Sequence, residues 1–418
     1  MASKRRKKEG GSVPKDGLSF QNQRVTRREF LIKAAVCAAG LGALAYGLDK
    51  GLLRNLAGLP TSVSTTFKNS APETLWKWSK EASFWERAGD LVQCELCPHR
   101  CLLEADDRGV CRTRVNKDGK LYTLSYGNPC AVHTDPIEKK PVYHFLPGTK
   151  AFSIATAGCN LRCKFCQNWD ISQTTPESLR NLDMMPDDTV QKTLDARRSD
   201  PLVRSIAYTY SEPAAFYDYM LDTSRTAREN GIKNVVITAG YINKKPLEEL
   251  SKHVDVIKID LKGFNEKFYR DVCSAELEGV LEAIKTVRRQ KGVWMELVNL
   301  VVPTLNDDLG EIQEMCAWVV ENVGSDVPLH FSRFQPQYKL LNLPPTPVAT
   351  LVEAREIALD AGIHYVYVGN ADTPEGNNTY CPKDKTLCVR RNGFVVTENR
   401  LSGGRCPTCG TEVAGVWS

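Results

Sequence analysis

Phe152-Ser153-Ile154-Ala155-Thr156 and, one residue later, Gly158-Cys159-Asn160-Leu161-Arg162-Cys163-Lys164-Phe165-Cys166-Gln167-Asn168-Trp169 form the most informative stretch of this chain. The first run is short, apolar and β-favouring, and predicts a strand. Three thiols within the next few residues then converge from one loop. A [4Fe–4S] cluster takes four thiolates, one per iron. Three local ligands with no obvious fourth nearby leave one iron open to an exogenous ligand. A zinc knuckle completed by a distant residue, or a plain electron-transfer cluster, are the other uses of such a loop.

Outward from this loop, short strand-like runs alternate with longer helical stretches. Ser205 to Tyr208, Asn234 to Ile237, Val256 to Asp260, Trp294 to Val301 and Leu329 to Phe334 read as strands, and Tyr365 to Val368 offers one more. Helices are expected over Ala214 to Asn230, Lys245 to Lys252, Glu278 to Gln290 and Leu309 to Val323. Such alternation predicts an α/β chain with a parallel sheet and right-handed crossovers. In barrels of this kind, ligand groups gather at the C-terminal strand ends. Tyr208-Thr209-Tyr210-Ser211-Glu212-Pro213, Thr238-Ala239-Gly240 and Asp260-Leu261-Lys262-Gly263 sit at those ends. Each has a plain structural reading. Glu-Pro suits a helix start, Asp260 and Lys262 suit a surface ion pair, and His330 on the sixth strand suits a satisfied core histidine. Gly240 permits close backbone approach to a ligand.

The C-x3-C-x2-C loop, with Phe165 before its third cysteine, resembles the radical SAM superfamily signature. That resemblance implies a partial (β/α)6 TIM-like barrel and a [4Fe–4S] cluster on Cys159, Cys163 and Cys166. It also implies reductive cleavage of S-adenosylmethionine to a 5′-deoxyadenosyl radical that abstracts hydrogen from a substrate. By the same resemblance Glu212 holds the cofactor's amino group, Thr238 and Gly240 border it, and His330 reaches its ribose. Asp260 and Lys262 look like the Asp-x-Lys of glycyl-radical-enzyme activases and contact cofactor or a monovalent cation. A closer resemblance rests on Cys94-Glu95-Leu96-Cys97-Pro98-His99-Arg100-Cys101, Asp135-Pro136-Ile137-Glu138-Lys139-Lys140-Pro141, Cys166 to Trp169, Asp260 to Phe264, Tyr365 to Asn370 and Gly415-Val416-Trp417. Those segments are similar to AmmeMemoRadiSam-system radical SAM enzymes, relatives of pyruvate formate-lyase-activating enzymes. The substrate is open, a protein among the choices. A flavodoxin or ferredoxin is the implied electron donor.

The chain has 15 cysteines. Close-spaced thiols in so long a chain argue for metal rather than a disulfide framework. Cys94, Cys97, Cys101 and Cys111 suit zinc or a second iron–sulfur cluster equally well. A structural metal folding a small loop-rich module is the simpler of the two. In the tail, Cys406-Pro407-Thr408-Cys409-Gly410 is a zinc-ribbon knuckle. Its partner reads Cys381-Pro382-Lys383-Asp384, with Asp384 where a thiol is expected and Cys388 the next thiol. Zinc here would sit on Cys381, Cys406 and Cys409 with Asp384 or Cys388, carboxylate being an acceptable ligand. Cys273 and Cys316 read as small buried apolar residues. The run Asp135 to Pro141 has no chemical role assignable from sequence.

Residues 1–60 hold 12 Lys/Arg against 4 Asp/Glu, so the rest of the chain is slightly acidic and offers no general nucleic-acid footprint. Paired Arg27-Arg28 before Phe30-Leu31, then an uncharged run from Ala34 to Leu48, resemble a twin-arginine export signal. The run is shorter than a membrane-crossing helix. Export or a membrane tether is the expectation, with a cytoplasmic enzyme as the alternative, because S-adenosylmethionine and strong reductants are cytosolic. The expected plan is a leader over 1–50, a linker with a short helix over 51–90, a four-cysteine module over 91–145, a radical SAM core over 146–370 and a cysteine-bearing tail over 371–418. The rival functions are a glycyl-radical-enzyme activase and a non-catalytic iron–sulfur electron carrier. Neither GxxxxGK[ST] nor GxGxxG occurs in the body, so no triphosphate or dinucleotide site is expected.

Overall fold

A computed structural model describes residues 75–373 and 375–418; the leader expected over 1–50 lies outside the described residues. Eight strands form one sheet in unbroken chain order. They are β1 (Ala131–Pro136), β2 (Lys150–Ala155), β3 (Val203–Tyr208), β4 (Lys233–Thr238), β5 (Val256–Asp260), β6 (Trp294–Val301), β7 (Leu329–Arg333) and β8 (Val366–Gly369). From β2 to β8 every pairing is parallel, and β1 runs antiparallel to β2. The edge strands β1 and β8 do not pair with each other, so the sheet curls into a barrel that stays open. The crossovers are α1 (Pro186–Ser199), α2 (Tyr217–Glu229), α3 (Lys244–Ser251), α4 (Leu277–Arg288), α5 (Leu309–Asn322) and α6 (Val348–Asp360). This is the partial barrel anticipated from the alternating pattern.

Strands buried on both faces need near-continuous apolar runs, and Val256, Ile257 and Ile259 of β5 are fully buried. Helix ends are set by local chemistry. Asp308 accepts from Glu311 N at 2.9 Å to start α5, and Pro186 opens α1 with Asp187 and Asp188 in its first turn.

Two expected boundaries are corrected. Residues 80–88, anticipated as linker, form strands Lys80–Glu81 and Trp85–Ala88. These complete two small antiparallel sheets with segments of the four-cysteine module. That module also ends before β1, because Ala131–Pro136 pairs with β2 and belongs to the barrel. A buried ion pair fastens the module to the barrel wall, Arg114 Nη2 lying 2.7 Å from Asp218 on α2.

The tail forms a third small sheet (Thr379–Tyr380, Leu387–Asn392, Val395–Asn399) and closes the N-terminal end of the barrel. Val416 N donates to His144 O at 2.7 Å, and Arg391 Nη2 donates to Tyr143 O at 2.8 Å. Beneath them Glu296 of β6 accepts from the backbone N–H groups of Tyr143 and His144. The histidine on the sixth expected strand sits here. His330 Nε2 lies 2.7 Å from Glu296 Oε2, edge-on to Tyr143, and burial pushes its pKa down. It is a satisfied core residue, and the expectation that it reaches the cofactor's ribose is not supported.

Candidate active site

The cysteine loop leaves the C-terminal end of β2, where the parallel strands present their backbone ends to ligands. Gly158 has φ +92°, and a Cβ there would come within 2.5 Å of Cys111 O, so only glycine lets the loop turn against the four-cysteine module. The loop is pinned from its far side by the segment ending at Cys273. Arg162 N donates to Cys273 O and Lys164 N to Val272 O, each at 2.9 Å. Cys163 is buried, whereas Cys159 and Cys166 are half-buried. Among the described residues these three sulfurs do not all fall within 4.8 Å of one another, a wider set than a single ion draws together.

Glu212 lies beside this loop, in the field of Cys159. Its carboxylate is buried and accepts from Thr238 Oγ1 at 2.5 Å, from Ala239 N at 2.8 Å and from Ala214 N at 3.2 Å. Burial raises its pKa, against those three donors. The residue does cap a short 3-10 turn, as a Glu-Pro start would, but two of its donors come from the end of β4. Glu212, Thr238 and Gly240 are therefore brought together. Gly240 has φ +71°, and a Cβ there would press within 2.8 Å of Ile259.

Asp260 and Lys262 are also at the loop, and they are not a surface pair. Lys262 Nζ lies 3.1 Å from Asp260 Oδ2, and Lys258 closes on Oδ1 from within the barrel. Burial would raise the Asp260 pKa, but the two ammonium groups hold it at about 2. Lys262 is half-buried, which would lower its pKa, yet Asp260 and the Cys163 thiolate hold it above its ordinary value. Its ammonium sits 5.8 Å from the centre of the Phe165 ring, so the aromatic before the third cysteine shields this charge.

Two features were not readable from sequence. Cys273, expected as inert core, is fully buried with its thiol in hydrogen-bonding reach of Cys163. The run from Asp135 places a buried cluster near Glu212. Asp135 accepts from Lys140 Nζ at 2.6 Å and from the Tyr210 hydroxyl, and Lys140 lies 4.2 Å from the centre of the Tyr210 ring. Burial, partly offset by Asp135, lowers the Lys140 pKa to about 8. Tyr210 itself has φ +65°, a strained conformation two residues from Glu212. The motif was visible in sequence; its partner on β3's exit was not.

The two outer cysteine sets differ. In the tail, Cys381, Asp384, Cys406 and Cys409 bring their donor atoms within 4.8 Å of one another, and Cys381 Sγ is 3.6 Å from Cys409 Sγ. Asp384, rather than Cys388, completes that group. Cys94, Cys97, Cys101 and Cys111 surround a small cavity. Cys316 is plain core, its thiol pushed up to about 12 by burial.

The radical SAM superfamily profile matches residues 153–318, the span from the cysteine loop to α5. An uncharacterized protein of Methanocaldococcus jannaschii, MJ0808, is 44% identical over 337 residues, covering 80% of this chain and 98% of that protein. The pyruvate formate-lyase-activating enzyme of Clostridium pasteurianum is 25% identical over 167 residues, 40% of this chain and 67% of that enzyme. Among solved structures, a radical SAM methyltransferase from Sphaerobacter thermophilus matches at 16% identity with a TM-score of 0.44, covering 78% of this chain and 83% of that one. With the three-thiol loop on the first parallel strand of an open barrel and a family match that begins on that strand, the chain belongs to the radical SAM superfamily and is an enzyme of that type.

Proposed function

We propose that Cys159, Cys163 and Cys166 hold the catalytic [4Fe–4S] cluster and that Glu212, with Thr238 and Gly240, orients S-adenosylmethionine beside it. When bound, this pair supplies one-electron cleavage to methionine and a 5′-deoxyadenosyl radical able to abstract hydrogen. The observation that carries the reading is the Glu212 carboxylate, buried and fixed by Thr238 and Ala239 at the side of Cys159. A carboxylate in that position receives an ammonium group through charge-assisted hydrogen bonds. A hydrogen bond from Cys273 and, after it, the charge of Lys262 favour the thiolate of Cys163.

The substrate side is marked by Trp169, which is exposed just past the third cysteine and stacks on Tyr338 at 5.3 Å. This aromatic rim favours a substrate large enough to cover it. A protein glycine, as for a glycyl-radical-enzyme activase, is the second reading on that ground. In the tail, we assign zinc to Cys381, Asp384, Cys406 and Cys409. A tetrahedral zinc with bonds of about 2.3 Å to sulfur sets its ligands about 3.8 Å apart, close to the 3.6 Å between Cys381 and Cys409.

Electron paramagnetic resonance of the reduced, reconstituted protein tests the central assignment. Adding S-adenosylmethionine should change the cluster signal, and Glu212→Gln should require far more cofactor for the same change. A signal indifferent to saturating S-adenosylmethionine would return the chain to the electron-carrier reading.

A further inference from the structure

Cys94, Cys97, Cys101 and Cys111 come from a β-strand, the turn after it and a loop closed by Gly109. They line one cavity of about 20 Å³, together with Arg114 and Asn160. That volume admits about one water-sized sphere between the thiols. A single zinc ion leaves no such space, because its four sulfurs touch at about 3.8 Å. Among the described residues no three of these thiols fall within 4.8 Å of one another, although the tail's four donors do. The three thiols of the catalytic loop share the wider spacing. The front thiols are also met by hydrogen-bond donors, which stabilise the thiolate form that any metal ligand needs. Val110 N approaches Cys101 Sγ at 3.5 Å, Thr113 Oγ1 approaches Cys111 Sγ at 3.3 Å, and Arg114 Nη1 approaches Cys94 Sγ at 3.6 Å.

The catalytic loop contributes one residue to the wall of this cavity. Asn160, the neighbour of Cys159, lines the cavity and reaches the Cys97 thiol, and its carbonyl accepts from His99 Nε2 at 2.7 Å. Gly158, on the other side of Cys159, packs on Cys111. Arg112 lies in the field of both Cys111 and Cys159. Both chain neighbours of Cys159 therefore touch the front module.

We infer that the four front cysteines hold a second [4Fe–4S] cluster, fully ligated by the protein, which passes the activating electron to the catalytic cluster. The inference rests on the radical SAM reading of the loop for its destination but not for its cofactor. A low-potential one-electron donor of the flavodoxin or ferredoxin class loses one electron. The front cluster gains it, falling from [4Fe–4S]2+ to [4Fe–4S]1+, and is reoxidised as the catalytic cluster takes the same electron. No bond or proton changes place.

Metal analysis of the anaerobically reconstituted full chain should find about eight irons with one zinc per chain, four irons at each cluster site. About four irons with two zincs would overturn the inference. A variant with Cys159, Cys163 and Cys166 all replaced by alanine should keep half the iron and give a reduced-cluster resonance of its own. If that variant does not fold, the wild-type metal count decides alone. For the relay, Cys97→Ala with Cys101→Ala should leave the catalytic cluster reducible by dithionite and its resonance still sensitive to S-adenosylmethionine. Its reduction by flavodoxin hydroquinone should slow by an order of magnitude or more. An unchanged flavodoxin rate would overturn the relay. Loss of the S-adenosylmethionine response in the wild type would instead count against the radical SAM reading, so the two failures are distinguishable.

Discussion

The front module and the tail each carry four metal-type side chains, and each is tied to the barrel by a buried arginine, yet they hold their donors differently. In front, thiols from a strand, a turn and a loop stand apart around a cavity against the catalytic loop. In the tail, two knuckle-like turns draw three thiols and a carboxylate into one tight group at the opposite end of the barrel. Ligand number alone does not separate a cluster from an ion. The separation of the donors, and what lies behind them, does. A redox centre has use for a wall shared with the active site, whereas a structural ion only has to close a small sheet.

That contrast can be broken at its attachments first. Asp218→Ala leaves Arg114 buried without its carboxylate, which should cost about 3–5 kcal/mol and lower the melting temperature by roughly 10 °C or more. The front iron should become labile with it, as iron release on mild warming would show. Retained iron and an unchanged melting curve would mean that the module is not held as described. Next in size, Glu212→Gln removes a charge-assisted contact worth about 1.5–3 kcal/mol. Dialysis should show S-adenosylmethionine binding weakened about 10- to 100-fold, with iron content unaffected. Glu296→Gln offers the control, since that carboxylate serves His330 and the barrel floor; it should reduce stability and spare cofactor affinity. The smallest effect belongs to the tail. Asp384→Ala should lower zinc affinity by an order of magnitude while the iron count stays at its wild-type value, both read by metal analysis. Iron lost together with zinc would erase the distinction between the two sites.

Much of the barrel was legible because its strands are buried on both faces and read as apolar runs. Val256–Asp260 and Trp294–Val301 fall where the sequence places them. The edge strand Ala131–Pro136 carries no such signal because five of its six residues are half-buried or exposed. At the site, the cysteine loop and Glu212 could be read from local spacing. The Asp135–Tyr210 contact could not, since it joins residues 75 positions apart through chain that only the closed barrel brings together. Cys273 was read as core for the same reason: burial is common to inert and site-lining cysteines, and only the fold sets its thiol against Cys163. Asp260 and Lys262 looked like a surface pair until the barrel supplied Lys258 as a third partner.

The most direct test of the account is chromatography for 5′-deoxyadenosine after anaerobic reconstitution, dithionite reduction and addition of S-adenosylmethionine, with Cys163→Ala alongside. The account predicts deoxyadenosine from the wild type and none above background from the variant. A fully loaded, reducible wild type that yields none, even with candidate substrates, would contradict it.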